Sequence, residues 1–327
     1  MNKFYYHNKR PGKINCIFLA VTLVFIILSV MFFVPDQSDA EQFSSLVTYL
    51  DSIVFDEEGD RLSHPSFVMV VPPENEIYVI DRRGRITIYT SDFFPVYTIR
   101  KTSNIQSPQG MALDNEGNIY IAQSATEDNP RHRISVFRQC LKWKYDIYME
   151  GFEGADTFSP HRLVVDKKGF IYVAASFFPG VVILDKDGRF VDIMSPEERG
   201  KKVNLTNVTL DGEGNIYLLS EEAGRVYVYD ENRKFLFMFG EKGGSSGKLS
   251  RPKAVAVDDR NGRKYIVDYM RHTVTVYDKE GNFIYEFGGM GWSEGWFQYP
   301  VDITIDSEGR IFVADLFNDR VQIFNSW

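Results

Sequence analysis

The sequence predicts an all-β fold, six four-stranded sheets closed radially into a β-propeller, and two observations carry that prediction. One unit recurs along the chain. It reads SPQGMALDNEGNIYIAQ from Ser107, SPHRLVVDKKGFIYVAA from Ser159, LTNVTLDGEGNIYLLS from Leu205, RPKAVAVDDRNGRKYIVD from Arg251 and YPVDITIDSEGRIFVAD from Tyr299, with a degenerate copy, HPSFVMVVPPENEIYVID, from His64. The turn glycines Gly117, Gly169, Gly214, Gly262 and Gly309 lie 45 to 52 residues apart. That spacing holds four short strands with their turns and leaves no room for long helices.

Each unit can be justified element by element. An alternating strand ends in a D-x-x-G turn, where glycine accepts positive φ without a Cβ clash. The second strand, such as NIYIA, is apolar on both faces, as a strand sandwiched between neighbouring sheets must be. A polar loop leads to a third strand (RITIY at 85–89, RISVF at 133–137, RVYVY at 225–229, RVQIF at 320–324), and a second turn leads to a fourth, such as FLFMFG or FIYEFG. The last unit stops after its third strand. Residues 46–55, LVTYLDSIVF, precede the first unit and have no partner of their own. They are expected to supply the closing outer strand of the last blade and to cover its edge.

The N-terminus is different in kind. Residues 16–34, CIFLAVTLVFIILSVMFFV, carry no charge, and Lys3, Lys9, Arg10 and Lys13 precede them. Nineteen residues of helix span about 28 Å, near the ~30 Å hydrocarbon thickness. The expected organisation is a cytoplasmic basic segment at 1–13, a transmembrane helix or signal-peptide core at 14–34, a linker at 35–45 and the propeller at 46–327. Either a signal anchor or cleavage after Ala40 exports the propeller. Without the four leading cations the chain has 33 basic and 45 acidic residues, a net −12. This excludes a nucleic-acid partner, which needs a basic footprint. Of the two cysteines, Cys16 lies in the apolar segment and Cys140 stands alone, so packing and not a disulfide must hold the exported domain.

These units resemble NHL repeats. The nearest is YPVDITIDSEGRIFVADLFNDRVQIF, and the linker FGGMGWSEGWFQYP resembles the glycine-rich, Phe-containing connection of that family. The resemblance covers residues 46–327 and implies a six-bladed propeller, but no particular activity. Unit 1 departs by placing Pro72, Pro73, Glu74 and Asn75 at its first turn, and unit 3 by placing Phe177, Phe178, Pro179 and Gly180 at its second loop.

In such a fold the entry loops and the loops between second and third strands emerge on one face. The entry loops present Ser66, Gln109, His161, Thr206, Lys253 and Val301. The second loops include His132, Phe177, Phe178, Glu221, Glu222, Arg271, His272, Phe317 and Asn318. The candidate ligand face is therefore Gln109, His132, His161, Arg162, Phe177, Phe178, Lys253, Arg271, His272, Phe317 and Asn318. Of the adjacent Phe177 and Phe178, at least one points outward or one caps the other in the core. Trp292 and Trp296 are expected to plug the gap between the last two blades.

A metal site is the alternative. Propellers resembling peptidyl-hydroxyglycine amidating lyases hold zinc with three histidines. His161 and His272 fall at two matching positions, but no third residue completes the three ligands that catalytic zinc needs. No cofactor is expected. GEKGGSSGKLS at 240–250 fails the phosphate-loop spacing, because Leu249 follows Lys248. Asn204 and Asn207 head glycosylation sequons. Arg85, Arg133, Arg225 and Arg320 recur before third strands and are expected to brace the blade tops. The reading is a membrane-tethered, extracytoplasmic scaffold for a protein, peptide or glycan; a propeller lyase or hydrolase with a metal in its channel is the alternative.

Overall fold

In five of the six repeats an Asp side chain organises the first turn. In blade 4, Asp211 Oδ1 accepts from the Glu213 and Asn215 amides at 3.0 and 2.8 Å, and Oδ2 accepts from the Tyr217 hydroxyl at 3.0 Å. Asp114 and Asp166 repeat the set toward Tyr120 and Tyr172. The Asx turn thus fixes the hairpin and ties the following strand to it. In unit 1, Asn75 takes the left-handed conformation (φ 54°) that glycine supplies elsewhere, a conformation Asn tolerates better than most residues. Its side chain bonds Ser307 of the last unit.

A computed structural model describes residues 46–102, 104–138 and 141–326. It is an all-β six-bladed propeller. Blade 1 comprises Pro65–Val71, Glu76–Asp81, Ile86–Tyr89 and Pro95–Ile99, and blades 2 to 5 repeat that up-and-down order. Blade 6 comprises Pro300–Ile305, Arg310–Asp315, Arg320–Ser326 and, as its outer strand, Val47–Ile53. The closing pair is antiparallel, from Val47 opposite Ser326 to Ile53 opposite Val321, with a bulge between Tyr49 and Asp51. The closing strand therefore starts at the face of the D-x-x-G turns (the turn face) and runs toward the face of the entry and second loops (the loop face). The segments expected at 1–13, 14–34 and 35–45 lie outside the described residues. Among the described residues no helix is long and apolar enough to cross a membrane.

The core is six clusters, one at each junction between blades. Period-2 alternation explains this. In blade 3, Ile171 and Val173 pack toward blade 2, while Tyr172 and Ala174 pack toward blade 4. In blade 4, Ile216 and Leu218 face back to blade 3, while Tyr217 and Leu219 face on to blade 5. Each fully buried aliphatic side chain contributes roughly 1.5–3 kcal/mol, and the doubly apolar second strands contribute to two junctions at once. Where the strand enters after its proline, the ladder skips one residue. The register jumps from Pro65 to Phe67, Pro108 to Gly110, Pro252 to Ala254 and Pro300 to Asp302. Such a bulge re-aims the skipped side chain: here Ser66, Gln109, Lys253 and Val301.

Candidate functional site

The channel on the propeller axis is closed by Arg162 at its loop-face end. From blade 3 this side chain donates to the Gln109 carbonyl of blade 2 at 2.7 Å and to the Ser66 carbonyl of blade 1 at 2.8 Å. It lies 3.7 Å from Asp302 of blade 6 and over the Phe67 ring. Asp302 in turn accepts the Val68 amide at 2.9 Å. Burial pushes the Asp302 carboxyl up from its usual range, against the opposing pull of Arg162 and that amide. The remaining cavity, about 250 Å³, is lined by the inner strands, mostly by Val, Leu, Met and Ile. Asn207 lines it too, which places that sequon inside the propeller.

On the loop face, two clefts meet at one side chain. Phe177 is 93% exposed and lines both. The first, about 450 Å³, holds Gln109, Thr157, Ser159, His161 and Phe178. The second, about 520 Å³, holds Asn204, Thr206, Glu221, Glu222, Lys242, Arg251 and Lys253. Phe178 turns inward, edge-on to Phe152 and Phe158 at 5.6 and 5.0 Å. It anchors the loop from which Phe177 projects. In the second cleft Glu221 accepts from Arg251 Nε and Lys253 Nζ, both at 2.6 Å. Burial pushes the Glu221 carboxyl up, but these two cations outweigh it and hold the group below its ordinary range. In the first cleft, burial pushes the His161 imidazole well below its ordinary value, and the Arg162 and Lys253 cations add to the shift. His161 is therefore a neutral hydrogen-bonding group at neutral pH.

From the second cleft an aromatic row continues round the rim. Lys253 and Arg251 lie over the Tyr269 ring at 5.3 and 5.7 Å. Tyr269 meets Tyr299 at 4.7 Å, Tyr299 meets Phe317 at 5.3 Å, and Phe317 meets His64 at 5.2 Å.

Of the residues expected on the ligand face, the structure brings together Gln109, His161, Phe177, Phe178 and Lys253, with Phe317 at the far end of the aromatic row. Arg162 points across the channel and not outward. His132 is occupied in its own loop, where Nδ1 accepts the Ala125 amide at 3.0 Å. Arg271 braces a linker through Glu286 at 2.6 Å and the Gly244 carbonyl. Asn318 holds Asp315 and the Gly291 carbonyl. His272 is only 7% exposed, and its Nδ1 accepts the Tyr299 amide at 3.0 Å. Neither His161 nor His272 lines the channel cavity, and neither of the two loop-face clefts holds both. Among the described residues no group of three or more His, Cys, Asp and Glu is arranged to hold a metal ion.

Two of the expected bracing arginines, Arg85 and Arg320, brace their blades most directly. Arg85 bonds Asp81 and Asp56, each at 2.6 Å, and Arg320 bonds Asp315 and the Ser293 and Trp296 carbonyls. The linker aromatics differ from expectation. Trp292 and Trp296 are 77% and 49% exposed, and Phe297 is the buried plug between blades 5 and 6. Sequence reasoning passed over Arg251 and Tyr269. Both flank repeat landmarks, Arg251 just before an entry proline and Tyr269 just after a second-strand Asp, and that adjacency is the signal that could have found them.

Comparison with known proteins agrees on the fold. A family model described as a 6-bladed beta-propeller matches residues 246–325. Among solved structures, an auxiliary nutrient binding protein from Bacteroides thetaiotaomicron superposes with a TM-score of 0.64 at 12% identity, covering 86% of this chain and 76% of that one. One of the same description from Bacteroides ovatus gives 0.62 at 16% identity, with 86% and 76% covered. A streptogramin B lyase gives 0.58 at 10% identity, covering 86% of this chain and 99% of that one. At such identities the likeness is one of fold. No curated protein matches the chain.

Proposed function

We propose that this chain is an NHL-type propeller acting as a non-catalytic binding scaffold outside the cytoplasm, tethered by residues 14–34 or secreted after cleavage behind Ala40. Its loop face takes a protein, peptide or glycan ligand. Phe177 is the observation that carries this reading. An almost fully exposed ring stands next in the loop to an inward anchor, the partly buried Phe178 packing on Phe152 and Phe158, and it lines two clefts that carry hydrogen-bonding groups. A large apolar side chain projecting into water between two clefts is a feature that folding alone does not call for. The descriptions of two propellers of the same fold as nutrient binding proteins are consistent with a binding role.

Site-specific crosslinking tests the reading. A photoreactive residue at position 177 of the full-length chain in intact cells should capture a ligand. The same residue at position 279, an exposed lysine on the turn face, should not. Equal capture at the two positions, or none at 177, would remove the loop face as the binding surface. Protease added to intact cells or spheroplasts should reach the propeller; full protection until the cells are lysed would contradict the exported topology.

A further inference from the structure

The binding reading leaves the ligand class open, and the chemistry around Phe177 narrows it. We propose that the ligand is an uncharged oligosaccharide, stacked on Phe177 and continued along the rim over Tyr269, Tyr299 and Phe317. The proposal rests on the scaffold reading above and names the ligand of that same face.

Three observations converge. First, the exposed Phe177 ring stands between clefts that set hydrogen-bonding groups, Gln109, Thr157, Ser159, Asn204 and Thr206, beside the apolar Phe158 and Phe178. A pyranose matches the arrangement seen here. Its axial C–H groups form an apolar face that meets the negative face of an aromatic ring, while its equatorial hydroxyls point sideways toward hydrogen-bonding side chains.

Second, the cations nearest Tyr269 are already paired, and the remaining two charges of the cleft, Lys242 and Glu222, are of opposite sign and hydrogen-bonded to neutral groups. Glu221 is held by Arg251 and Lys253, Lys242 Nζ donates to the Glu221 carbonyl at 2.8 Å, and Glu222 accepts from Asn204 at 3.4 Å. An acidic ligand would have to compete with Glu221 for its two cations. A basic ligand would meet Arg251 and Lys253. A neutral ligand needs neither exchange, and the paired charges still offer their outer donors and acceptors to hydroxyls. His161, kept neutral by its surroundings, adds one more uncharged partner.

Third, the aromatic surface is extended. Phe177 lines the cleft that Arg251 and Lys253 line, the Tyr269 ring lies against those two cations, and Tyr269, Tyr299 and Phe317 follow in ring-to-ring contact. Phe317 remains 43% exposed at the far end. A row of rings fits a polymer of repeating units better than a single small molecule.

The test is titration calorimetry of the full-length purified chain. The probes are neutral hexasaccharides of β-1,4-glucose, β-1,4-xylose, β-1,4-mannose and α-1,4-glucose, with hexagalacturonate as the acidic control. At least one neutral hexasaccharide should bind. Its affinity should change less than about twofold between roughly 0.05 and 0.5 M salt, because no net charge is exchanged. Phe177→Ala should weaken binding by about tenfold or more, the loss of one good stacking contact, and Phe177→Tyr should restore most of it. The matching disaccharide should bind more weakly than the hexasaccharide. Binding of hexagalacturonate alone, with strong salt dependence, overturns the proposal, as does neutral binding that ignores Phe177→Ala or the absence of binding to every probe. A protein or peptide captured at position 177 without any saccharide binding overturns the glycan class and leaves the scaffold reading standing. Failure of both titration and crosslinking removes both.

Discussion

The two ends of the blades follow opposite rules. On the turn face one device is repeated: an Asp accepts from amides two and four residues on, as at Asp114, Asp166, Asp211 and Asp306. Successive turns are then linked, from Asn115 to Lys167, from Lys167 to Gly212, from Gly212 to Asp259 and from Arg260 to Glu308. On the loop face the backbone repeats and the side chains do not. The position after the entry proline or its substitute is Ser, Gln, His, Thr, Lys and Val in the six blades. Sameness in every copy marks what the fold requires, whereas divergence on a fixed frame marks what the individual protein has been adapted to do.

The largest effect belongs to the residue that joins the two regimes. Arg162 ties four blades at the loop-face end of the channel, and its loss leaves Asp302 buried without its cation. Arg162→Ala should therefore lower stability by about 3–5 kcal/mol, as breaking a buried ion pair from one side does. The double variant with Asp302→Ala should recover part of that loss. Urea denaturation of the single and double variants checks it. A single variant as stable as the parent would mean that inter-blade packing alone closes the ring.

The adjacent phenylalanines sharpen the contrast within two residues. Phe178 packs on Phe152 and Phe158, so Phe178→Ala should cost roughly 3 kcal/mol. Phe177 touches little and projects into water, so Phe177→Ala should leave the melting transition within about 0.5 kcal/mol of the parent while weakening ligand binding by about tenfold or more. Two equal losses of stability would show that Phe177 is a packing residue after all.

How much of this was legible in the sequence follows the same division. Repetition is visible in one chain, so the number of blades, the turn aspartates and the bracing arginines could be read directly. Strand counting singles out residues 46–55 as lacking a partner, but their register and bulge against Arg320–Ser326 are three-dimensional facts. Within the loop face, the sequence told which residues emerge near the top and not which way they turn. Arg162 follows His161 by one position, and the strand alternation sends it into the channel. Phe177 and Phe178 could not be assigned inward or outward without the partners Phe152 and Phe158, which lie in the preceding linker. Trp296 and Phe297 were indistinguishable by composition; the linker, held by an isolated bridge from Met290 to Phe297, buries Phe297 and leaves Trp296 half exposed.

A smaller effect tests the uniformity of the turn face. Asp211→Ala removes two amide acceptors and the partner of the Tyr217 hydroxyl, which should cost about 1–2 kcal/mol, the range of a lost helix cap. Asp114→Ala removes the same set toward Tyr120 in blade 2 and should match it within about 0.5 kcal/mol. A large difference in thermal unfolding between the two would show that position in the ring, not the shared device, sets the energy.

The smallest effect is a pH dependence confined to the loop-face clefts. Two groups there are shifted downward, His161 by burial and neighbouring cations, and Glu221 by Arg251 and Lys253 against burial. For each, the unfolded chain takes up a proton at a higher pH than the folded one. Each contribution to stability is therefore present above the unfolded pKa and is lost as pH falls toward the folded value. The windows differ: the His161 loss starts below about 6.5 and the Glu221 loss below about 4.3. Glu221→Gln should flatten the lower window by less than about 1 kcal/mol, since the pair is partly open to solvent, and leave the upper one untouched. His161→Gln should do the reverse. Unfolding midpoints measured from neutral pH down to about 3 separate the two. If a single variant removed both slopes, the clefts on either side of Phe177 would be one coupled site and not two adjoining ones.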